Sequence, residues 1–253
     1  MPLLTVGIDI GSTVTKGALL SDGAVIGTCR MPTSWSPKET GQHLLNTLLK
    51  EHQVSLESVR RVVATGYGRQ TMEGAHKQVT EITCHGKGAY FINPANRTVI
   101  DIGGQDSKVV RLDERGQVVD FIMNDKCAAG TGRFLQVMAI RMEVDVSQLE
   151  ELAREAAPIQ LNNMCTVFAE SEVVGLLAAG ASKASIAAGL LTSVASKICT
   201  QAQRVGVVEG VYFSGGLAEN RYLQQAIQDK LGVTLQLSPL AQFTGAIGAA
   251  LMG

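Results

Sequence analysis

Short apolar runs, each closed by a polar or glycine-containing turn, set the rhythm of the first thirty positions. Leu4-Thr5-Val6-Gly7-Ile8, Gly17-Ala18-Leu19-Leu20 and Ala24-Val25-Ile26 read as three strands, the last two joined at Ser21-Asp22-Gly23. The rhythm returns at Thr98-Val99-Ile100, Val109-Val110-Arg111-Leu112 and Gln117-Val118-Val119, with Asp113-Glu114-Arg115-Gly116 as the second turn. Between the two triplets, Leu44, Leu45, Leu48 and Leu49 recur at helical spacing and predict a helix from Glu39 to Gln53. A strand at Val62-Val63-Ala64-Thr65, ended by Gly66-Tyr67-Gly68, and a second helix from about Cys84 to Phe91 follow. The second triplet is expected over 98–103, 108–113 and 117–123, after which the pattern turns helical over about 131–142, 147–155, 166–179 and 183–208. A strand at Val211-Tyr212-Phe213, a helix from Glu219 to Lys230, a strand from Thr234 to Leu237 and a last helix from Gln242 complete the chain.

This order defines an α/β protein of two related lobes, each a mixed sheet with helices packed outside. Asn93-Pro94-Ala95-Asn96 punctuates the chain just before the second triplet and sets the boundary, giving subdomains at 1–96 and 97–253. The small-residue face Gly245-Ala246-Ile247-Gly248-Ala249-Ala250 permits close packing, and the last helix is a candidate to pack back on the first subdomain.

Composition narrows the class. Hydrophobic residues make up 45% and charged residues 18% of 253, as in a well-cored soluble protein. A net charge of −1 leaves no electrostatic footprint for nucleic acid, and no basic block marks a membrane surface. The longest apolar helical candidate, near Ile186 to Val208, is interrupted by Lys197, Gln201, Gln203 and Arg204 and is no membrane span. The start lacks a basic n-region and cleavage site, so a cytoplasmic location is expected. There, five cysteines read as thiols or metal ligands rather than disulfides.

The chemistry enters with a repeat. Asp9-Ile10-Gly11-Ser12-Thr13-Val14-Thr15-Lys16 returns as Asp101-Ile102-Gly103-Gly104-Gln105-Asp106-Ser107-Lys108 at the first bend of each triplet. A glycine just after a strand-ending aspartate lets backbone approach phosphate oxygens, to which the following N–H groups and hydroxyls donate. Candidate nucleotide contacts are therefore Gly11, Ser12, Thr13, Thr15 and Lys16 in the first copy and Gly103, Gly104, Asp106 and Lys108 in the second. Asp9 and Asp101 suit Mg²⁺ held through water, and Gln105 is the candidate for orienting an attacking water. One copy alone is an ordinary hairpin turn; two on matching hairpins favour a nucleotide between lobes. Ser214-Gly215-Gly216-Leu217-Ala218-Glu219-Asn220 then reads as a strand-to-helix turn in which Gly215 and Gly216 would admit the sugar and base, with Asn220 able to cap the helix.

Together these three motifs resemble the phosphate-1, phosphate-2 and adenosine motifs of the actin, sugar-kinase and heat-shock-chaperone ATPase superfamily. That resemblance implies two ribonuclease-H-like subdomains with ATP·Mg²⁺ in the cleft between them.

The cysteines discriminate within the superfamily. Cys29 on a strand and Cys199 inside an apolar helix read as small buried hydrophobes, and Cys84 is open between that and a ligand. Cys127 and Cys165 each stand in a polar, helix-opening setting, where the positive end of the helix favours thiolate. The stretches Asp101–Lys108, Asn124-Asp125-Lys126-Cys127-Ala128-Ala129-Gly130-Thr131-Gly132 and Cys165-Thr166-Val167-Phe168-Ala169-Glu170-Ser171-Glu172 resemble the ATP-dependent activators of 2-hydroxyacyl-CoA dehydratases, a family that includes benzoyl-CoA reductase subunits. The resemblance implies a homodimer sharing one 4Fe–4S cluster held by Cys127 and Cys165 of each copy. It further implies a flavodoxin or ferredoxin as electron donor and a partner iron–sulfur dehydratase or reductase acting on a CoA thioester. Gly130 and Gly132 would let backbone approach the cluster. A sugar-type kinase on the same scaffold is the alternative, although no convincing catalytic Asp and substrate pocket stand out in the first lobe. Arg69, Glu81 and His85 read as a structural polar network rather than as nucleotide or partner contacts.

Overall fold

The computed structural model describes residues 2–162 and 165–253. In the first lobe β1 (Leu4–Ile10), β2 (Val14–Ser21) and β3 (Ala24–Pro32) form an antiparallel meander. Helix α1 (Pro37–Glu51) leads to β4 (Val59–Thr65), which lies parallel to β1, and a two-residue β5 (Lys77–Gln78) completes the order β3-β2-β1-β4-β5. Ser36 caps α1, Pro37 supplies its first turn, and Leu44, Leu45, Leu48 and Leu49 are buried against the sheet.

Helix α2 (Glu81–Ile92) then leads into the second lobe. Here β6 (Thr98–Ile102), β7 (Ser107–Leu112) and β8 (Val118–Asn124) repeat the meander. Helices α3 (Gly132–Arg141), α4 (Leu149–Ala153), α5 (Thr166–Ala178) and α6 (Lys183–Val205) follow. Strand β9 (Val211–Gly215), helix α7 (Arg221–Leu231), strand β10 (Leu235–Gln236) and helix α8 (Thr244–Ala250) close the chain. The second sheet runs β10-β9-β6-β7-β8, with β9 parallel to β6 as β4 is to β1, so the two sheets have the same connectivity. These are the two related lobes expected from the repeat, in the arrangement that the superfamily resemblance implies.

Element ends differ from the sequence reading for local reasons. Helix α6 stops at Val205, short of 208, because Gly206 turns to φ +84 and closes it. Helix α7 starts at Arg221 because Asn220 caps it, its side-chain oxygen accepting from Leu223 N at 2.9 Å. Helix α4 is shorter than 147–155 because residues 146–148 wind as a tighter turn capped by Asp145. Helix α8 likewise begins at Thr244, after a tight turn at 241–243. Helix α2 begins at Glu81, a turn ahead of Cys84, which places Glu81 and His85 four residues apart on one helical face.

The lobes join through α2 and α8. Helix α8 packs on β1, β2 and β4, and α2 packs on α8 and on the second sheet. The two helices cross at backbone contact: a Cβ on Gly248 would lie 1.8 Å from the Cys84 carbonyl oxygen, and one on Gly88 2.0 Å from that of Thr244. The small residues of α8 thus serve packing, as their pattern suggests.

Candidate nucleotide cleft

In both hairpins the repeated aspartate pairs directly with the repeated lysine, Asp9 with Lys16 across β1–β2 and Asp101 with Lys108 across β6–β7. The two loops face each other. A Cβ on Gly104 would come within 2.1 Å of the Thr13 hydroxyl, so the lobes touch where their phosphate-type turns meet. Around this point lies a cavity of about 270 Å³. It gathers Asp9, Gly11, Ser12, Thr13 and Lys16 from the first copy, Asp101, Gly103, Gly104, Asp106 and Lys108 from the second, and Gly215 and Gly216 from the end of β9. Gly215 adopts φ +94 against the backbone of Ile102, a conformation that favours glycine, and the position of a Cβ on Gly216 is open.

Three residues singled out from the sequence lie elsewhere. Thr15 does not line the cavity: side chains alternate along a strand, so with Lys16 at the cleft wall Thr15 points to the other face. Its buried hydroxyl is hydrogen-bonded with that of Thr33 at 2.9 Å. Gln105 is exposed at the hairpin tip and Asn220 is engaged as a helix cap; neither lines the cavity.

The two lysines are not equivalent. Lys16 Nζ is 3.9 Å from Asp9 and remains at the cavity wall. Lys108 is buried and surrounded by Asp106 at 2.5 Å, Asp101 at 3.0 Å and Glu81 at 3.3 Å. Burial alone would lower its pKa, but these three carboxylates hold it well above the usual value. Asp101 also accepts from Ser214 Oγ at 2.8 Å and faces His85 Nδ1 at 3.2 Å, an ion-pair contact outside hydrogen-bond geometry. Burial would raise the Asp101 carboxyl, yet the charges of His85 and Lys108 keep it well below the carboxylate range. Glu81 moves the other way, raised first by burial and further by Asp9 and Asp106, with Lys108 opposing. Burial acts most strongly and lowers His85, Lys108 adds to that, and Asp101 and Asp9 together more than offset both.

Glu81 and His85 therefore join the polar network around Lys108 and Asp101, and both also line the cavity, so a nucleotide contact stands open to them beside the structural role. Arg69 is bonded to its own turn, Nη1 donating to the Gly66 carbonyl oxygen at 3.2 Å. The sequence reading gave no role to Arg133, Gln136 or Gln242, which complete the wall. Contacts between distant segments bring Arg133 and Gln136 there, since Gly132 N donates to Gly103 O at 3.0 Å and Arg133 N to Gly104 O at 2.7 Å. Gly132 thus packs on the second phosphate-type loop.

The cysteines divide clearly. Cys84 and Cys199 are buried, and burial pushes their thiols up to about 12 and about 11. Burial likewise raises the half-buried Cys29. Cys127 and Cys165 are both exposed. Cys127 lies in the loop before α3, its carbonyl oxygen accepting from Asn124 Nδ2 at 2.8 Å. Cys165 is the cap residue of α5. Helices α3 and α5 pack together and are linked by an Arg141–Glu170 ion pair. Among the described residues no cluster of three or more His, Cys, Asp or Glu side chains could hold a metal ion, and no helix is long and apolar enough to cross a membrane.

Fold and cleft together define an actin-like nucleotide-binding ATPase. Residues 6–253 match the model of the BadF/BadG/BcrA/BcrD ATPase family, and the chain belongs to that family. It is 46% identical over 253 residues to the (R)-2-hydroxyglutaryl-CoA dehydratase activating ATPase of Acidaminococcus fermentans, covering 99% of this chain and 97% of that one. The crystal structure of component A of that organism's dehydratase superposes with a TM-score of 0.95 at 44% identity, covering 99% of this chain and 97% of the other. The activator of the 2-hydroxyisocaproyl-CoA dehydratase from Clostridium difficile, solved with bound ADPNP, gives a TM-score of 0.92 at 41% identity, covering 99% and 94%.

Proposed function

We propose that this chain is an ATP-dependent reductive activator, in which ATP hydrolysis drives low-potential electron transfer to a partner iron–sulfur dehydratase or reductase acting on a CoA thioester. The observation that carries this reading is the placement of Cys127 and Cys165. They are exposed thiols at the openings of two helices packed side by side, whereas Cys84 and Cys199 are buried. A 4Fe–4S cluster takes four thiolates, so two per chain form half a donor set and a second copy of the chain supplies the rest. When bound, the cluster supplies one-electron transfer at low potential. Exposed Val167, Phe168 and Ile140 on α5 and α3 offer apolar surface for that second copy. A flavodoxin or ferredoxin would act as electron donor.

Four carboxylates (Asp9, Glu81, Asp101 and Asp106) gather in the cleft, and three of the four converge on Lys108. A polyanion would not enter such a site without a divalent cation, and hard carboxylate oxygens suit Mg²⁺. Asp9, ion-paired with Lys16 at the longer distance of 3.9 Å, would hold the ion through water. Asp101, occupied by Lys108, Ser214 and His85, would orient that shell from the second lobe. Ser12 and Thr13 would donate to phosphate oxygens, Lys16 would neutralise their charge, and Gln105 would turn inward to orient the water.

Anaerobic purification tests the reading. Brown protein with about four irons per dimer and an ATPase that activates a cognate dehydratase is expected. Colourless, monomeric protein after anaerobic iron and sulfide reconstitution would refute it.

A further inference from the structure

Of the cations lining the cleft, Lys108 is held by three carboxylates and Lys16 faces Asp9. Arg133 ion-pairs with no carboxylate among the described residues, and its guanidinium donates to the neutral Gln136 Oε1 at 2.8 Å. It stands in the first turn of α3, and its own backbone N–H donates to Gly104 O at 2.7 Å, beside the Thr13 contact where both phosphate-type loops meet. A guanidinium is planar, permanently charged and suited to bidentate phosphate binding. Gly215 and Gly216 lie at the end of the neighbouring strand β9, so the phosphate chain would run from them to the meeting point of the loops. Immediately before this turn, Thr131 Oγ1 donates to Ala128 O at 2.6 Å, and Asn124 Nδ2 bonds both Cys127 O and Ala129 O. The Cys127 loop is thereby tied to the arginine's helical turn by short-range hydrogen bonds.

We propose that Arg133 binds the terminal phosphate of the nucleotide and that this contact couples the phosphate end of the cleft to the Cys127 loop. The proposal rests on the nucleotide reading of the cleft. With the terminal phosphate present, the guanidinium exchanges Gln136 for a charged partner and pulls on the first turn of α3. With a diphosphate it returns to Gln136. Nucleotide state is then read by a helix that begins at the phosphate loop and whose leading loop carries a thiol.

Calorimetric titration of the full chain with ADP and with a non-hydrolysable ATP analogue tests this, together with hydrogen exchange over residues 125–131. Arg133→Gln should weaken the analogue by about tenfold to a hundredfold, the loss of one charge-assisted contact, and leave ADP affinity unchanged. Arg133→Lys should recover part of the loss. The wild-type chain should exchange differently over 125–131 in the two nucleotide states, and Arg133→Gln should abolish that difference. Unchanged analogue affinity in Arg133→Gln, an equal loss of both nucleotides, or a persisting exchange difference would overturn the proposal. Failure of the wild-type chain to bind either nucleotide would overturn the underlying reading instead.

Discussion

The Lys108 ammonium lies 3.0 Å from the Asp101 carboxylate, directly across the β6–β7 hairpin, with both groups buried. Its counterpart Lys16 is 3.9 Å from Asp9 and reaches the cleft wall. One sequence motif therefore serves two purposes, charge compensation inside the second lobe and an available cation in the first. Lys108→Met should cost about 3–5 kcal/mol of stability by leaving carboxylates buried and unpaired. Lys16→Met should change stability by no more than about 1 kcal/mol and mainly weaken nucleotide binding. Urea unfolding and nucleotide titration of the pair of variants separate the roles; equal destabilisation by both would contradict the distinction.

The His85 contact makes stability depend on pH. Burial disfavours the imidazolium, but Asp101 holds its pKa above the ordinary 6.5. The folded chain therefore binds this proton more tightly than the unfolded one. Its stabilisation is fully present below 6.5 and is lost as pH rises through the raised folded value. His85→Gln should flatten the decline in unfolding free energy on the alkaline side of 6.5. An identical slope in wild-type and variant chains would show that another group is responsible.

Contact between the phosphate-type loops leaves no room for a methyl group. Gly104→Ala would place a Cβ 2.1 Å from the Thr13 hydroxyl, forcing the lobes apart or straining both turns. A loss of about 1–3 kcal/mol is expected, with Thr13→Gly in the same chain restoring most of it. Thermal unfolding of the two variants beside the wild-type chain reads this directly, and Gly104→Ala behaving as wild type would mean that the loops part without cost.

Removal of either exposed thiol should strip iron while sparing the fold. Cys127→Ala and Cys165→Ala are each expected to lose most of the iron and to unfold at the midpoint of the iron-free wild-type chain, because neither side chain is buried. Cys84→Ala should keep its iron. Normal iron content in either exposed-site variant would overturn the ligand assignment.

Asp101→Ala should abolish ATPase activity and leave iron content intact, since the residue lies in the cleft while Cys127 and Cys165 are surface thiols outside it. Full activity in this variant would remove the second motif from catalysis.

The duplicated strand triplets were legible because apolar runs broken by turns carry their own signal, and the Asp-Lys register follows once each triplet is read as a meander. The same logic turns Thr15 away from the cleft, since neighbours on a strand face opposite sides. Glu81 and His85 were harder to place. The first turn of α2 is too polar to announce itself by periodicity, and a helix begun at Cys84 conceals their shared face. Arg133 was invisible for a different reason. Its position depends on two hydrogen bonds between α3 and a hairpin far earlier in the chain, and local pattern carries no trace of these. Among the cysteines, the apolar surroundings of Cys199 correctly implied burial, whereas Cys29, read the same way on a strand, is only half-buried, and Cys84, left open in the sequence, is buried.

The crossing of α2 and α8 limits how the molecule can move. With Gly248 seated on the Cys84 carbonyl and Gly88 on that of Thr244, no layer of side chains separates the rods. Sliding one along the other would drive main chain into main chain, so the permitted motion is rotation about the contact. The crossing would act as a fulcrum, so a slight change of gap where the two phosphate-type loops meet would carry the outer rims of the lobes through a much larger arc.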